Sequence, residues 1–218
     1  SIDGNLVVNT KDVILKDMTI SGNLYLAEGI GTGDITLDNI TVKGTIFVEG
    51  GGENSVKLNN VSLAHAMDIE VIKPVRIVNK GKKISVKLRN HSKVILEGDF
   101  SEITVPYNVI LKLNSSLIAD KLITLPNTTQ DKNADMATIE MVKGSVIQLL
   151  VADGAVKILG QGEIKQLNEN VTGVKTEVTP IKVVTASGVQ SSIHTNTSSG
   201  SSSSGDSSSG ENEPDTGD

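Results

Sequence analysis

Apolar and polar positions alternate with period two along most of this chain, and the alternation itself repeats. Residues 13–26 read VILKDMTISGNLYL, residues 35–48 read ITLDNITVKGTIFV, and residues 56–63 read VKLNNVSL, at spacings of 22 and then 21 residues. Val13, Leu15, Met18 and Ile20 recur as Ile35, Leu37, Ile40 and Val42, then as Val56, Leu58, Val61 and Leu63. Leu24 and Leu26 recur as Ile46 and Val48. Such alternation of β-branched and polar residues predicts short strands with one buried face, broken at Asp-Asn, Asn-Asn or Gly. No sustained helical period competes.

A unit of 21–22 residues holding two or three short strands is the size of one coil of a parallel β-helix, with coils stacked about 4.8 Å apart. The expected fold is therefore all-β: a right-handed parallel β-helix, a solenoid, over residues 1–185. Its handedness is taken from the usual chirality of parallel crossovers. Roughly eight coils are expected, giving a rod about 40 Å long. Asp17, Asn39 and Asn60 fall at one equivalent position, and Thr19, Thr41 and Ser62 at another. Stacked Asx residues can hydrogen-bond along such a column. That recurrence favours the solenoid over an antiparallel sandwich, which also uses many short strands. The later body keeps the texture less regularly: VKLRN (86–90) echoes VKLNN (56–60), and NTTQDKNADM (127–136) reads as a protruding loop.

Residues 186–218 change character. Twelve of the last 32 residues are Ser, and the acids there follow Lys182, the last basic residue. This segment has little to bury and is expected to be a disordered, acidic linker. Its Pro214-Asp215-Thr216-Gly217 resembles the Pro-x-Thr-Gly part of a sortase sorting signal, with Glu213 in place of Leu. An ordinary linker ending is the competing reading.

Charge and composition then narrow the function. The formal net charge is −6, yet residues 1–182 carry 21 acids against 20 bases, so no basic nucleic-acid footprint is present. Cysteine is absent, which excludes disulfides and Cys-ligated metals. No apolar run is long enough to span a bilayer as a helix. The loop GIGTGD (29–34) suggests a phosphate cradle, but EGGGENS (49–55) stands at the same place one coil later, a strand follows each, and no Gly-Lys-Ser/Thr is present. The glycines are read as corner residues allowing positive φ.

The segment ISGNLYLAEGIGTGDITLDNITVKGTIFVEGGGENSVKLNNVSL (20–63) resembles the β-helical module of large cell-surface proteins of Gram-positive Firmicutes, often found with S-layer homology domains. GQGEIKQL (160–167) resembles a later coil of the same proteins. The resemblance implies an extracellular, cell-surface location and carries over no catalytic residue.

Chemistry on the rod has few candidates. Glu97 with Asp99, and Asp68 with Glu70, are two apart and expected to share a strand face, as a glycosidase carboxylate pair would. Solvated outward acids are the simpler reading. With two arginines (Arg76, Arg89), scattered histidines (His65, His91, His194) and no calcium repeat, no catalytic set and no metal site is assigned; Asp34 and Asp38 offer at most a chance calcium contact. Tyr25 and Phe47 are expected to point outward on adjacent coils, as the candidate ligand-binding pair. The expectation is a non-catalytic structural or adhesion module needing no cofactor. Its candidate partners are cell-wall or extracellular polysaccharide and surface proteins. A polysaccharide-binding module is second, and a polysaccharide lyase or glycoside hydrolase third.

Overall fold

The computed structural model describes residues 1–53, 56–128, 136–191 and 193. Within them the chain winds through about nine turns of parallel β-solenoid, all-β apart from a single turn of 3₁₀ helix at Glu28–Ile30. The serine-rich tail lies outside the described residues beyond Ile193, which itself packs part-buried against the core. Most of the expected loop at 127–136 also lies outside them.

Each coil has three sides. The first carries residues 13–16 of β2 (Val13–Ile20), residues 35–38 of β4 (Ile35–Val42), β6 (Val56–Asn59), and the start of β9 (Val75–Leu88) and of β10 (Lys93–Val105). It continues through β11 (Ile110–Leu113), β13 (Ala137–Met141), β15 (Val156–Gly160) and β17 (Val174–Thr176). The third side begins with β1 (Leu6–Val8), β3 (Leu24–Leu26), β5 (Ile46–Val48) and β8 (Met67–Ile69). It passes through the ends of β9 and β10, then β12 (Ile118–Thr124), β14 (Val146–Ala152), β16 (Glu163–Glu169) and β18 (Lys182–Thr185). A short second side turns the corner between them, as at 18–20, 40–42 and β7 (Ser62–Leu63).

Because side chains alternate, every coil contributes aliphatics to the same interior columns. One such column runs Leu24, Ile46, Met67, Val86, Ile103, Leu122, Leu150 and Leu167, and every member is buried. Each side chain lies on one from the coil before, so burial and backbone pairing propagate together.

The Asx ladder forms at a corner. Asn39 Nδ2 donates to Asp17 Oδ1 (2.8 Å) and Asn60 Nδ2 to Asn39 Oδ1 (3.2 Å). All three residues are left-handed, with φ of 51°, 55° and 51° for Asp17, Asn39 and Asn60. Asx side chains tolerate that region and satisfy one another there. A second ladder was not anticipated: Asn5 Oδ1 accepts from the Asn23 amide (2.8 Å), and Asn23 Oδ1 from that of Thr45 (2.9 Å). Asn39→Ala should cost about 1–2 kcal/mol, from the left-handed backbone and the broken ladder. Asn39→Gly, which keeps the backbone, should cost less. Urea midpoints followed by circular dichroism check this; equal losses would remove the backbone argument.

Coil length departs from the early repeat. Phe47 pairs with Asp68, 21 residues on, but Ile103 with Leu122, 19 on, and Leu167 with Val183, only 16 on. Leu122 pairs with Leu150, 28 on, around the coil that contains the 127–136 segment. Shorter corners explain why about nine turns form where eight were expected. They also move VKLRN off its apparent equivalent. Residues 56–59 lie on the first side, paired with 77–80, whereas 86–88 lie on the third, paired with Met67–Ile69.

The contraction begins at one buried polar residue. Asn79 sits inside the rod below Leu58, 3% exposed, and its amide donates to the carbonyls of Lys82 (2.9 Å) and Asp99 (2.6 Å). It thereby ties its own corner to that of the next coil.

Candidate functional site

The glycine loops resolve into two kinds of position. Gly31 and Gly51 have φ of 60° and 127°, as corner glycines should. Gly29, Gly33, Gly50 and Gly52 serve differently: a Cβ on any of them would overlap atoms of the preceding coil, such as Asn9 under Gly29 and the Ala27 carbonyl under Gly50. The loops are Gly-rich because coils stack there in close contact.

Tyr25 and Phe47 are half-buried on the outer surface of the third side, paired in register, with Val7 on one flank and Asp68 on the other. Their ring centroids are 5.0 Å apart and their planes 10° from parallel. That separation matches the coil rise, so one face of each ring is taken by the other. The remaining faces look toward the Val7 and Asp68 coils, and the ring edges face outward. Tyr25 Oη accepts from Asn23 Nδ2 (3.2 Å). Asp68 is gripped by Arg89 through two hydrogen bonds, Nε to Oδ1 (2.7 Å) and Nη2 to Oδ2 (2.5 Å). That grip, opposed by desolvation, holds the guanidinium still more firmly in its charged form.

Of the two carboxylate pairs, Glu97 and Asp99 do not assemble as expected. Gly98, with φ of 95°, turns the chain between Glu97 and Asp99. Glu97 then pairs beside Val78 on the first side, and Asp99 beside Ile118 around the corner. Strand alternation fails across such a bend, so the shared face inferred from spacing is lost. Glu97 is ion-paired to Arg76 and accepts from Asn114 Nδ2 (3.1 Å). Asp68 and Glu70 do lie on one outer face, but Asp68 is committed to Arg89.

The Arg76 hydrogen bond holds Glu97 below its ordinary value of 4.5, against desolvation, which pushes it up; Asn114 and the charges of Arg76 and Lys80 add to the lowering. A carboxyl depressed by folding contributes stability that is present above its unfolded pKa and lost as pH falls through its folded one. The Tm advantage of the native protein over Glu97→Gln should therefore be full near neutrality and shrink below pH 4.5. Paired thermal melts from pH 7 to pH 3 measure it; a pH-independent difference would show that the ion pair contributes no linkage.

Two clefts of about 530 Å³ each open at the corners. The first, beyond the third side, has Glu28, Glu49, Glu70, Ile72 and Lys73 on its walls, with Gly50 and Gly51 beneath. The second lies at the His91–Asn108 corner of the first side and was not anticipated. Among the described residues no group of three or more acids and histidines is placed to hold a metal ion. Asp34 instead pairs with Lys57 (3.2 Å) and Asp38 with Lys16 (3.8 Å). His194 lies outside the described residues.

The class that this geometry defines is a parallel β-solenoid with an aliphatic interior and ion-paired outer faces. No protein family, curated protein or solved structure matches the chain. No helix among the described residues is long and apolar enough to cross a membrane.

Proposed function

We propose that the solenoid is a non-catalytic extracellular module of a bacterial surface protein, a stiff spacer and adhesive scaffold. The observation that carries this reading is the unbroken stacking of one aliphatic column from Leu24 to Leu167. A rod whose coils share one core resists bending at any single joint. The fate of the candidate acids supports the non-catalytic half. Glu97 and Asp68 are each ion-paired to an arginine, which ties up the carboxylate oxygens that a glycosidase pair would turn to its substrate. The likeness of residues 20–63 to Gram-positive surface modules supports the location.

Saccharide binding at Tyr25 and Phe47 is the second reading, favoured by their partial exposure beside the Asp68–Arg89 fork. One experiment tests both. The full chain is incubated with insoluble polysaccharides and peptidoglycan, and the supernatants are assayed for reducing ends and unsaturated products. Neither sugar release nor unsaturated product is expected; either would overturn the non-catalytic assignment. Retention abolished by Tyr25→Ala/Phe47→Ala would establish the aromatic pair as an adhesive site.

A further inference from the structure

The second cleft differs from the first in its charge. Lys93, Ile110, Thr138 and Lys157 form one outward column on four successive coils of the first side. The two lysines are thus three coils apart, about 14 Å along the rod. Between them Ile110 and Thr138 are shorter and uncharged, leaving a trough with an ammonium post at either end. Val109 closes its floor, and His91 forms a side wall at the corner. His91 and Asn108 hold that corner in left-handed backbone, with φ of 67° and 55°.

Among the described residues no acid lines the trough. Lys93 and Lys157 are exposed and make no ion pair among the described residues, whereas Lys16, Lys57, Lys83, Lys121 and Lys165 each hold an acid. Lys175 extends the column one coil further. Glu140, two residues past Thr138, is the acid nearest along the strand, and it stands in register with Lys112 of the preceding coil. The trough is a local cationic strip on a body that is otherwise almost charge-balanced. No aromatic among the described residues lines it, so they offer no stacking platform for nucleic-acid bases.

We propose that this trough binds an acidic polysaccharide whose chain lies along the rod axis. Its carboxylates meet Lys93 and Lys157, and the apolar face of a sugar ring rests on Ile110. Thr138 offers a hydroxyl to the sugar's own. The proposal rests on the adhesion reading for the class of ligand, but on a different surface from Tyr25 and Phe47.

The test is affinity electrophoresis of the full chain at low ionic strength through gels containing alginate, poly(glycerol phosphate) or a neutral β-glucan. Alginate should retard the protein, and added salt should release it, since exposed charges are screened. Lys93→Gln/Lys157→Gln should weaken retention at least tenfold. Lys11→Gln/Lys43→Gln, which removes two exposed lysines from remote coils, should change it less than twofold. All four positions are exposed, so the folded state should survive; urea midpoints confirm it.

Absence of retardation by alginate, or equal weakening by the remote pair, overturns the proposal. Retardation by the phosphate polymer alone overturns the saccharide assignment, as does tighter binding of a single-stranded oligonucleotide. Retention on an insoluble neutral polysaccharide with no alginate binding would sink the trough and leave the adhesion reading intact.

Discussion

Phe100→Ala is expected to destabilise the protein by about 3–5 kcal/mol, among the largest effects open to a side-chain truncation. Among the described residues Phe100 is the one aromatic inside the rod, fully buried while Tyr25 and Phe47 lie outside. It pairs with Ile84 on the coil before and with Ala119 on the coil after. Ala119 leaves room that the ring fills, so truncation would place one alanine over another with a void between them. Neighbouring coils cannot close that void without giving up the strand register they share. Phe100→Leu should recover more than half of the loss. The loss should also be local, because each coil touches only its neighbours. Amide exchange should quicken most in residues 84–124 and least in residues 13–48. Uniform quickening would mean that the rod unfolds as one unit.

The second large effect is expected at Gly98. Its φ of 95° disfavours any L-residue, and a Cβ there would overlap the carbonyl oxygen of Asn79. That oxygen is backbone in a neighbouring strand and cannot swing aside as a side-chain tip would. Asn79 is also the residue that ties two corners together. Gly98→Ala should therefore cost at least about 3 kcal/mol, the sum of a disfavoured backbone and a displaced coil. Gly31→Ala is the comparison. Gly31 also has positive φ (60°), but a Cβ there would meet nothing within 4 Å. It should cost about 1–3 kcal/mol, the backbone strain alone. Urea midpoints of the two variants separate strain from overlap. Equal losses would show that the Asn79 contact relaxes freely.

These two positions mark where sequence reasoning stops. Period-two alternation is a local property, so the strands, their buried faces and the outward placement of Tyr25 and Phe47 could be read directly. The corner column of Asp17, Asn39 and Asn60 was equally legible, because three coils of similar length keep it at a constant spacing. VKLRN shows the limit of that legibility. The same alternation suits any side of the coil, so nothing in those five residues says that they belong to the third side and not the first.

Glycine was ambiguous for a related reason. Gly31 and Gly29 are neighbours in one loop, yet one answers to its own φ and the other to an asparagine twenty residues earlier. The Glu97–Asp99 pair failed because spacing along a strand holds only while the strand is straight, and Gly98 bends it. The lysine trough left no periodic trace. Its column is spaced by 17, 28 and 19 residues, since each intervening corner has its own length.

The sequence by itself determined the class of fold, the interior columns and the first ladder, because these need only a repeated local pattern. The tertiary structure alone decided coil length, corner geometry, the Arg76–Glu97 and Arg89–Asp68 pairs and the cationic trough. Each of those depends on which residue of the next coil lies 4.8 Å away. That partner is fixed by how tightly every corner between them closes.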